Sequence, residues 1–374
     1  MNYLYPGQQT LTGQIGRIAH PDVLANLIAQ YAVAYTLSLD PLAKADVNAT
    51  VGKNTIYIPA QIRSKNVPDE SAIERIAREA VRMAGYSGRW GYDPDCLRII
   101  TDMNGQSSNI AAAVDNGKAG DTITKVGFAT DETSDCLPVH QVFLIKLAEA
   151  LDYAFKNGDV KGLGPDGKLN AHVAYENGRP KYISEVVVGA QHEEGINLKL
   201  FRGDITEIIK ECAGEWYDPS RTIITINGAG LFVLGGPKID TGVKGKKDAD
   251  AAYGNLIGHT GGSAYGKDGS KVDLHGLMGA REAAKILVVG NFAHAVRIEL
   301  SYVMGRSEPI VSINTFGTSE LGEAELADIV RKEIDLTPAG IIKRLDLRNP
   351  DIYPAMARSF FGNNKPLPLL HRNL

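Results

Sequence analysis

Strand and helix patterns alternate along the chain, but a helix does not follow every strand. In residues 296–302 apolar and polar side chains alternate, which predicts a strand with one buried face. Similar strand patterns occupy residues 55–63, 183–190 and 222–227. A doubly wound parallel sheet would require a helix after each strand. The pattern therefore favours an α+β fold, with helices packed on one face of mixed or antiparallel sheets.

Three stretches carry apolar residues at helical spacing. Residues 140–158 and 274–291 each end at an adjacent asparagine and glycine, residue types that often terminate helices. A third pattern runs from Ser71 to Gly85, and Ser71 followed by Glu74 predicts a capping box at its start. Turn-rich residues between these patterns predict loops at 114–122, 162–170 and 236–250, and residues 360–374 predict a surface tail with an apolar patch.

Length and composition restrict the class of protein. A chain of 374 residues, 44% hydrophobic and 22% charged, is typical of a folded protein of two or three domains. The net charge of -4 gives no electrostatic attraction for nucleic acid or a membrane surface. The sequence lacks a signal-peptide pattern and a long apolar span, and its three cysteines are widely spaced. We therefore expect a cytoplasmic protein without nucleic-acid or membrane partners.

Glycines, lysines and aspartates accumulate between residues 235 and 273. Glycines permit a close approach of the backbone to a ligand, and lysines can neutralise phosphate oxygens. Aspartates supply the oxygen ligands that Mg²⁺ prefers, and Mg²⁺ bound with phosphate needs only one or two of them. The stretch therefore predicts a magnesium-dependent polyphosphate site. A solvated polar loop is the alternative interpretation.

Residues 261–267 fit the first part of a P-loop, G-x-x-x-x-G-K. The next residue is Asp268, where a P-loop has the serine or threonine that binds magnesium. No apolar strand leads directly into the segment either. Both departures argue against a P-loop kinase and for a different kind of phosphate site.

Several motifs in this order resemble the S-adenosylmethionine synthetase (methionine adenosyltransferase) family. The motifs are HPD at 20–22, QSSNI at 106–110, GFATDET at 127–133, GPDGK at 164–168, GGPKIDTGVKGKK at 235–247, GHTGGSAYGKDGSKVDLHGLMGAREAAK at 258–285 and SYVMGRSEP at 301–309. The resemblance covers nearly the whole chain. It is dense in the last third and weak in the first hundred residues, so the N-terminal third is divergent.

The resemblance implies a fold and an activity. Three similar α+β subdomains are expected at 1–112, 113–232 and 233–374, each with a mixed or antiparallel sheet and helices on one face. The implied reaction makes S-adenosylmethionine from ATP and L-methionine and hydrolyses the released triphosphate to pyrophosphate and phosphate. The implied cofactor is Mg²⁺, with a potassium site weakened at Asn48. The implied assembly is a homodimer or homotetramer with active sites between subunits.

The resemblance also assigns site residues. Catalytic roles fall to His20, Lys168, Lys267 and Lys271. ATP binding falls to Asp166, Lys168, Phe232, Asp240, Lys246, Lys247, Ser263 and Lys267. Methionine binding falls to Gln61, Gln106, Asp121, Asp240 and Lys271. Magnesium binding falls to Asp22 and Asp273.

Simpler interpretations exist for four of these residues. His20 is also explained as a helix cap or a surface histidine, and Phe232 as part of a hydrophobic core. Lys246 is also explained as a solvated side chain. Asp273 is also explained as an acidic residue that stabilises the start of a helix.

The sequence departs from the family pattern at several positions. Val23 follows Asp22 where the family has lysine, and Asn26 replaces an acid. Residues 120–130 read GDTITKVGFAT where the family has GDQGLMFGYAT, after a shorter loop. Gln61 replaces a glutamate, and Lys246 replaces an arginine and so loses the planar fork of the guanidinium.

Two other functions remain open because of these departures. One is an ATP-binding homologue that regulates an active partner, and the other is a tripolyphosphatase that keeps only the hydrolytic step. We favour an active synthetase because the polyphosphate-binding residues are nearly complete.

Overall fold

The computed structural model describes residues 10–105, 117–254 and 256–361. The strands are β1 (Thr10–Gly16), β2 (Lys44–Val47), β3 (Thr50–Val51), β4 (Thr55–Arg63), β5 (Arg98–Asn104), β6 (Ile123–Thr130), β7 (Leu163–Glu176), β8 (Arg179–His192), β9 (Ile223–Ile226), β10 (Gly242–Val243), β11 (Ala295–Tyr302) and β12 (Ile310–Asn314). The α-helices are α1 (Pro21–Leu39), α2 (Glu70–Met83), α3 (Val139–Asn157), α4 (Leu198–Ala213), α5 (Asp248–Ala252), α6 (Val272–Val289), α7 (Glu323–Glu333), α8 (Pro338–Arg344) and α9 (Ile352–Ala355).

The strands form three sheets. Sheet A has the order β1-β7-β8-β9 and is antiparallel except for the parallel pair β8–β9. In sheet B, β4 pairs antiparallel with β2 and β3 and parallel with β5, while β10 extends the sheet beyond β3. Sheet C has the antiparallel order β12-β11-β6. These mixed and antiparallel sheets confirm the predicted α+β class.

Each sheet has helices packed against it and a hydrophobic core of its own. Helix α1 packs against β2, β3 and β10, α3 packs against β1 and β7, and α6 packs against β6 and β11. Each sheet also combines strands that are distant in sequence, such as β10 with β2–β5 and β6 with β11–β12. The fold therefore brings the N-terminal motif close to the glycine-rich segment of the last third.

Most of the predicted elements are confirmed. The strand predicted at 55–63 is β4, and the helix predicted at 140–158 is α3, which ends at Gly158 with a φ of 74°. The helix predicted at 274–291 is α6 and begins two residues earlier than predicted. In β4 and α3 exposed residues recur with the period of the element, which is the pattern that periodicity detects, whereas α6 is mostly buried.

Two local predictions are wrong. Ser71 lies inside α2, whose N-cap is Asp69; the Asp69 carboxylate accepts a hydrogen bond from the Ala72 N–H at 2.6 Å. The loop predicted at 162–170 is instead the start of β7. The pairing of β7 with β8 is irregular between Leu163 and Gly167. A bulge of this kind needs turn-like residues, so the GPDG sequence was wrongly predicted to be a turn.

Helix α1 was not predicted from the sequence. Sixteen of its residues are buried, so α1 has no polar face and no helical period that a sequence pattern could show. The segment 236–250 is more ordered than the predicted loop, since it contains β10 and the start of α5. Among the described residues, no helix combines the length and the apolar character needed to cross a membrane.

Candidate functional site

The start of helix α1 supplies two of the predicted site residues. Pro21 occupies the first helical position, and His20 is the N-cap, whose Nδ1 accepts a hydrogen bond from the Asp22 N–H at 3.3 Å. The Asp22 carboxylate is buried, and its Oδ1 accepts a hydrogen bond from the Val243 N–H at 3.0 Å. The capping interpretation of His20 is therefore confirmed, and the cap lies beside the glycine-rich segment.

Charged groups surround the His20 imidazole. Burial lowers the pKa of His20, the carboxylates of Asp166 and Asp22 oppose this, and the ammonium groups of Lys247 and Lys168 lower the pKa further. The ring is consequently neutral at pH 7 in the ligand-free protein. These interactions show that residues from three separate segments meet around one imidazole.

Two lysines of the glycine-rich segment face Asp22. The Nζ atoms of Lys246 and Lys247 lie 3.7 and 3.9 Å from its carboxylate, and Lys247 also lies 3.6 Å from Asp250. Burial lowers the pKa of Lys168, and Lys247 adds to the decrease. We define the first cluster as His20, Asp22, Asp166, Lys168, Lys246 and Lys247. Its three lysines supply the positive charge that an anion site requires.

Asp166 connects the GPDGK motif to the glycine-rich segment. Its buried Oδ2 accepts a hydrogen bond from the Gly236 N–H at 2.7 Å, and burial raises the pKa of this carboxyl group. The half-buried Phe232 is held nearby by two hydrogen bonds to His192, at 3.0 and 2.9 Å. Phe232 belongs to none of the three hydrophobic cores, which argues against the core interpretation of this residue.

A second cluster surrounds Asp273, in the first turn of α6. Lys267 Nζ lies 2.5 Å from Asp273 Oδ2 and 3.8 Å from Asp46 Oδ2, and Lys125 Nζ lies 3.0 Å from Asp273 Oδ1. Burial alone would raise the pKa of Asp273, but Lys125 and Lys267 lower it below its ordinary value. We define the second cluster as Asp46, Lys125, Lys267 and Asp273.

Lys125 was missed as a site residue. Its side chain is buried in β6, and its Nζ donates hydrogen bonds to the carbonyl oxygens of Gly261 and Gly262 at 2.9 and 2.7 Å. Burial lowers its pKa, and Asp273 opposes the decrease. A signal was present in the sequence, because Lys125 stands where the family pattern GDQGLMFGYAT has an apolar methionine.

The two clusters adjoin through residues 242–250. Asn26 Oδ1 accepts a hydrogen bond from the Gly245 N–H at 2.9 Å, so the departure at Asn26 holds this segment against α1. On the other side, Ser263 Oγ donates to Asp248 Oδ1 at 3.2 Å. Ser263, predicted to bind ATP, therefore lies between the clusters.

The remaining predicted residues lie at the surface or outside the described part of the chain. Gln61 is exposed on β4 and pairs with Asp46 of the second cluster. Asp121 is exposed, and its negative charge is one of those that raise the pKa of Lys267. The exposed Asp240 likewise opposes the decrease in the pKa of Lys168. Gln106 lies outside the described residues.

Lys271 and Asn48 complete the predicted set. Lys271 is the half-exposed N-cap residue of α6. Asn48 is exposed, and its N–H donates to the Pro59 carbonyl oxygen at 2.8 Å. Neither position contradicts the assigned role.

Asp268, the residue that departs from the P-loop pattern, has a structural position. Its buried carboxylate accepts hydrogen bonds from the N–H groups of Ala45 and Ser270, both at 2.7 Å. It thereby fastens the glycine-rich segment to β2. This contact gives a physical reason for an aspartate where a P-loop would have a hydroxyl group.

The two predicted metal ligands suit magnesium that is shared with phosphate. Asp273 Oδ1 is buried, and its close neighbour among the described residues is the ammonium group of Lys125 at 3.0 Å, so a lone pair remains for a second cation. In the described ranges, no group of three or more histidine, cysteine, aspartate or glutamate side chains could hold a metal alone. Mg²⁺ commonly takes one or two carboxylates and completes its shell with substrate phosphates and water. Asp22 and Asp273 fit that chemistry.

Comparisons with known proteins identify the same family in all three parts of the chain. Residues 10–108 match the family model of the S-adenosylmethionine synthetase N-terminal domain, residues 116–232 that of the central domain, and residues 234–368 that of the C-terminal domain. A similar protein is the S-adenosylmethionine synthase of Desulforudis audaxviator (strain MP104C). It is 35% identical over 360 residues, which are 92% of this chain and 90% of the relative.

Proposed function

The chain belongs to the S-adenosylmethionine synthetase family and is a methionine adenosyltransferase, and we propose how its residues divide the chemistry. The sulfur of L-methionine attacks C5′ of ATP, and the bond between C5′ and the triphosphate oxygen breaks. The triphosphate leaves whole and is then hydrolysed to pyrophosphate and phosphate. A thioether is already a nucleophile, so the first step needs no activating base.

The observation that carries this proposal is that the predicted lysines gather in two charged clusters. The demanding part of the reaction is the negative charge that accumulates on the departing triphosphate. Fixed cationic groups directed at that charge lower the barrier without reorganising as it develops. Lys168, Lys246 and Lys247 in the first cluster and Lys267 in the second supply them, and Lys271 adds a fifth cation.

His20 has a hydrogen-bond donor left for a phosphate oxygen. Its Nδ1 accepts the Asp22 N–H, so the proton of the neutral ring is on Nε2. That N–H is free to donate to the oxygen that leaves C5′. The cap therefore fixes the tautomer as well as the start of α1.

Magnesium, held by Asp22 and Asp273 together with phosphate oxygens, would neutralise further charge on the leaving group. Asp166, Asp240 and Ser263 bind the nucleotide, and the ring of Phe232 stacks on adenine. Methionine is bound by Gln61, Gln106, Asp121 and Asp240 together with Lys271. The proposed domains remain 1–112, 113–232 and 233–374, and the cytoplasmic location remains a prediction.

We further infer that the active site lies between two subunits of a homodimer or homotetramer. Within one chain, Asp22 and Asp273 belong to different clusters, and each is neutralised by its own lysines. Gln61 and Asp121, assigned to methionine, are exposed. A second subunit that brings its second cluster over the first cluster of its partner would complete the site.

Product analysis tests the proposed function. The purified protein is incubated with ATP, L-methionine and MgCl₂, and S-adenosylmethionine is measured by mass spectrometry together with pyrophosphate and phosphate. We expect the three products in equal amounts. Lys267→Met should abolish them, whereas Lys332→Met, at an exposed lysine of α7, should not.

Two results would replace this function by an alternative. Phosphate release from tripolyphosphate without S-adenosylmethionine formation would indicate a tripolyphosphatase. ATP binding without any product would indicate a regulatory homologue.

A further inference from the structure

We propose that the ammonium group of Lys125 is a built-in monovalent cation of the active site, which positions Asp273 and the glycine carbonyls beside it. This inference rests on the proposed function of the second cluster. It makes Lys125 a positioning residue, because it acts through Asp273 and Lys267. The resulting enzyme should need no free potassium or ammonium ion at this place.

Three oxygen atoms surround the buried ammonium group. The carbonyl oxygens of Gly262 and Gly261 lie 2.7 and 2.9 Å from Nζ, and Asp273 Oδ1 lies 3.0 Å away. The two carbonyl contacts are hydrogen bonds, and the carboxylate contact is an ion pair. A small monovalent cation in a protein would be surrounded by the same kinds of ligand.

The path of the lysine stem is part of the fold. A Cβ atom on Gly276 of α6 would lie 3.0 Å from Lys125 Cγ and 3.2 Å from a ring carbon of Tyr302. The glycine thus leaves the space through which the stem runs from β6 to Asp273. Only 3% of the Lys125 side chain is exposed, so the ammonium group cannot move out into solvent unless the surrounding structure rearranges.

The oxygen atoms are crowded enough to require a cation. A Cβ atom on Gly262 would lie 2.1 Å from Asp273 Oδ1, so the backbone at Gly262 packs directly against the carboxylate. Two carbonyl dipoles and a carboxylate directed at the same buried point repel one another strongly without a positive charge. Lys125 supplies that charge within the chain.

The consequence for the proposed reaction lies in Asp273. Its other oxygen is 2.5 Å from Lys267, so the carboxylate is held between two ammonium groups. Removal of Lys125 frees Asp273 to rotate and the glycine-rich segment to move. Lys267 would then lose its fixed partner. Asp273, assigned to magnesium, and Lys267, assigned to phosphate, would no longer be held in fixed positions relative to each other.

The test is chemical rescue of a truncated side chain. Lys125→Ala should leave a space lined by the same three oxygens. In sodium buffer we expect its kcat to fall at least about tenfold, and ammonium or potassium chloride should restore much of it. Tetramethylammonium chloride at equal ionic strength should not. Lys125→Met fills the space, so this variant and the wild type should respond to ammonium and potassium much less than Lys125→Ala does.

A second measurement does not depend on catalysis. The melting temperature of ligand-free Lys125→Ala should rise in ammonium or potassium relative to tetramethylammonium, while that of Lys125→Met and of the control Lys332→Ala should not. This readout remains informative if the wild type makes no S-adenosylmethionine, so failure of the proposed function and failure of this inference are distinguishable.

Any of three results would overturn the inference. The first is a Lys125→Ala enzyme with wild-type activity and melting temperature in tetramethylammonium. The second is a loss that ammonium and potassium change no more than tetramethylammonium does, in both measurements. If Lys125→Ala does not fold in any salt while Lys125→Met folds and works like the wild type, the inference is also wrong.

Discussion

At the scale of single residues, Asp248 shows what burial of a charge does to the stability of this protein. Burial raises the pKa of its carboxyl group to about 6, against the opposing effects of Ser263, Lys244 and Lys125. The folded-state pKa therefore lies above the unfolded value of 3.8. Between these two values the folded state binds the proton more tightly, so this group's contribution to stability falls as pH rises through that window.

Asp248→Asn should consequently stabilise the protein at neutral and alkaline pH. We expect a gain in the free energy of unfolding of about 1–3 kcal/mol at pH 7.5, with little gain near pH 4. Urea denaturation at both pH values measures it. Asp328→Asn, at an exposed position of α7, is the control for the change in net charge. An unchanged or lower stability of Asp248→Asn at pH 7.5 would contradict the account.

Lys271 is a cation without a partner among the residues that the structure describes. Its side chain makes no hydrogen bond or ion pair with any described residue, although it lies two residues from Asp273. A charge that is free in the unliganded protein can be used for a ligand at no cost to folding. Lys271→Ala should therefore reduce kcat by about 10²–10³-fold and leave the melting temperature unchanged.

Steady-state kinetics and thermal unfolding of the same preparation check the Lys271 prediction. Near-normal turnover would remove Lys271 from the polyphosphate site. A large fall in melting temperature would instead indicate a structural residue.

At the scale of secondary-structure elements, the contact between α1 and β10 aligns the first cluster. A Cβ atom on Gly242 would lie 2.0 Å from the carbonyl oxygen of Pro21, so only glycine permits this approach. The approach places the Val243 N–H on Asp22 Oδ1 and Gly245 N–H on Asn26. Gly242→Ala should separate the two elements and lower both the melting temperature and the turnover.

A second glycine substitution isolates this effect. Gly203 is exposed within α4, and a Cβ atom there meets nothing within 4 Å. Gly203→Ala should stabilise the protein by about 0.5–1 kcal/mol through helix propensity, with unchanged turnover. The same substitution would then have opposite effects at the two positions. Equal behaviour of the two variants would refute the importance of the close contact.

Element prediction succeeded most clearly where one face meets solvent. β4 and α3 were predicted because apolar and polar residues alternate in them with the period of the element. Helix α6 is mostly buried and was predicted from its apolar residues and from the glycine and asparagine at its end. Helix α1 is buried all round and carries no such signal. The N-terminal part of β7 was misread because glycine and proline in a bulge look like a turn.

The site was predictable in its residue types and less so in its supporting contacts. The density of lysines and aspartates in the glycine-rich segment predicted a charged ligand. The supporting contacts of Lys125, Asp248 and Asn26 were not predicted, because they join residues that are far apart in the sequence and a local pattern does not contain them. For Lys125, the sequence did show a lysine where the family pattern has an apolar methionine, and the structure explains this difference by the contacts of its ammonium group.

In the whole molecule, the proposed active site depends on how two subunits combine. One chain carries both clusters, and the proposed site uses the first cluster of one subunit with the second cluster of another. A dimer then has two equivalent sites, as closed two-fold symmetry requires. Two inactive variants with damage in different clusters should therefore complement each other.

Co-expression of His20→Ala with Lys267→Ala tests this arrangement. Hybrid dimers contain one site with both defects and one site with none. Activity should return to about a quarter of the wild-type value, since about half of randomly paired dimers are hybrids. Light scattering of the same sample should show a dimer or tetramer. No recovery of activity in confirmed hybrids would mean that each site lies within one subunit.

The most direct measurement is a crystal structure with adenylyl imidodiphosphate, L-methionine and Mg²⁺. The account predicts one nucleotide whose phosphate oxygens contact His20 and Lys247 of one subunit and Lys267 and Lys271 of a second. Asp22 and Asp273 should bind the magnesium ions on those phosphates. A nucleotide bound with its phosphates away from both clusters would contradict the account.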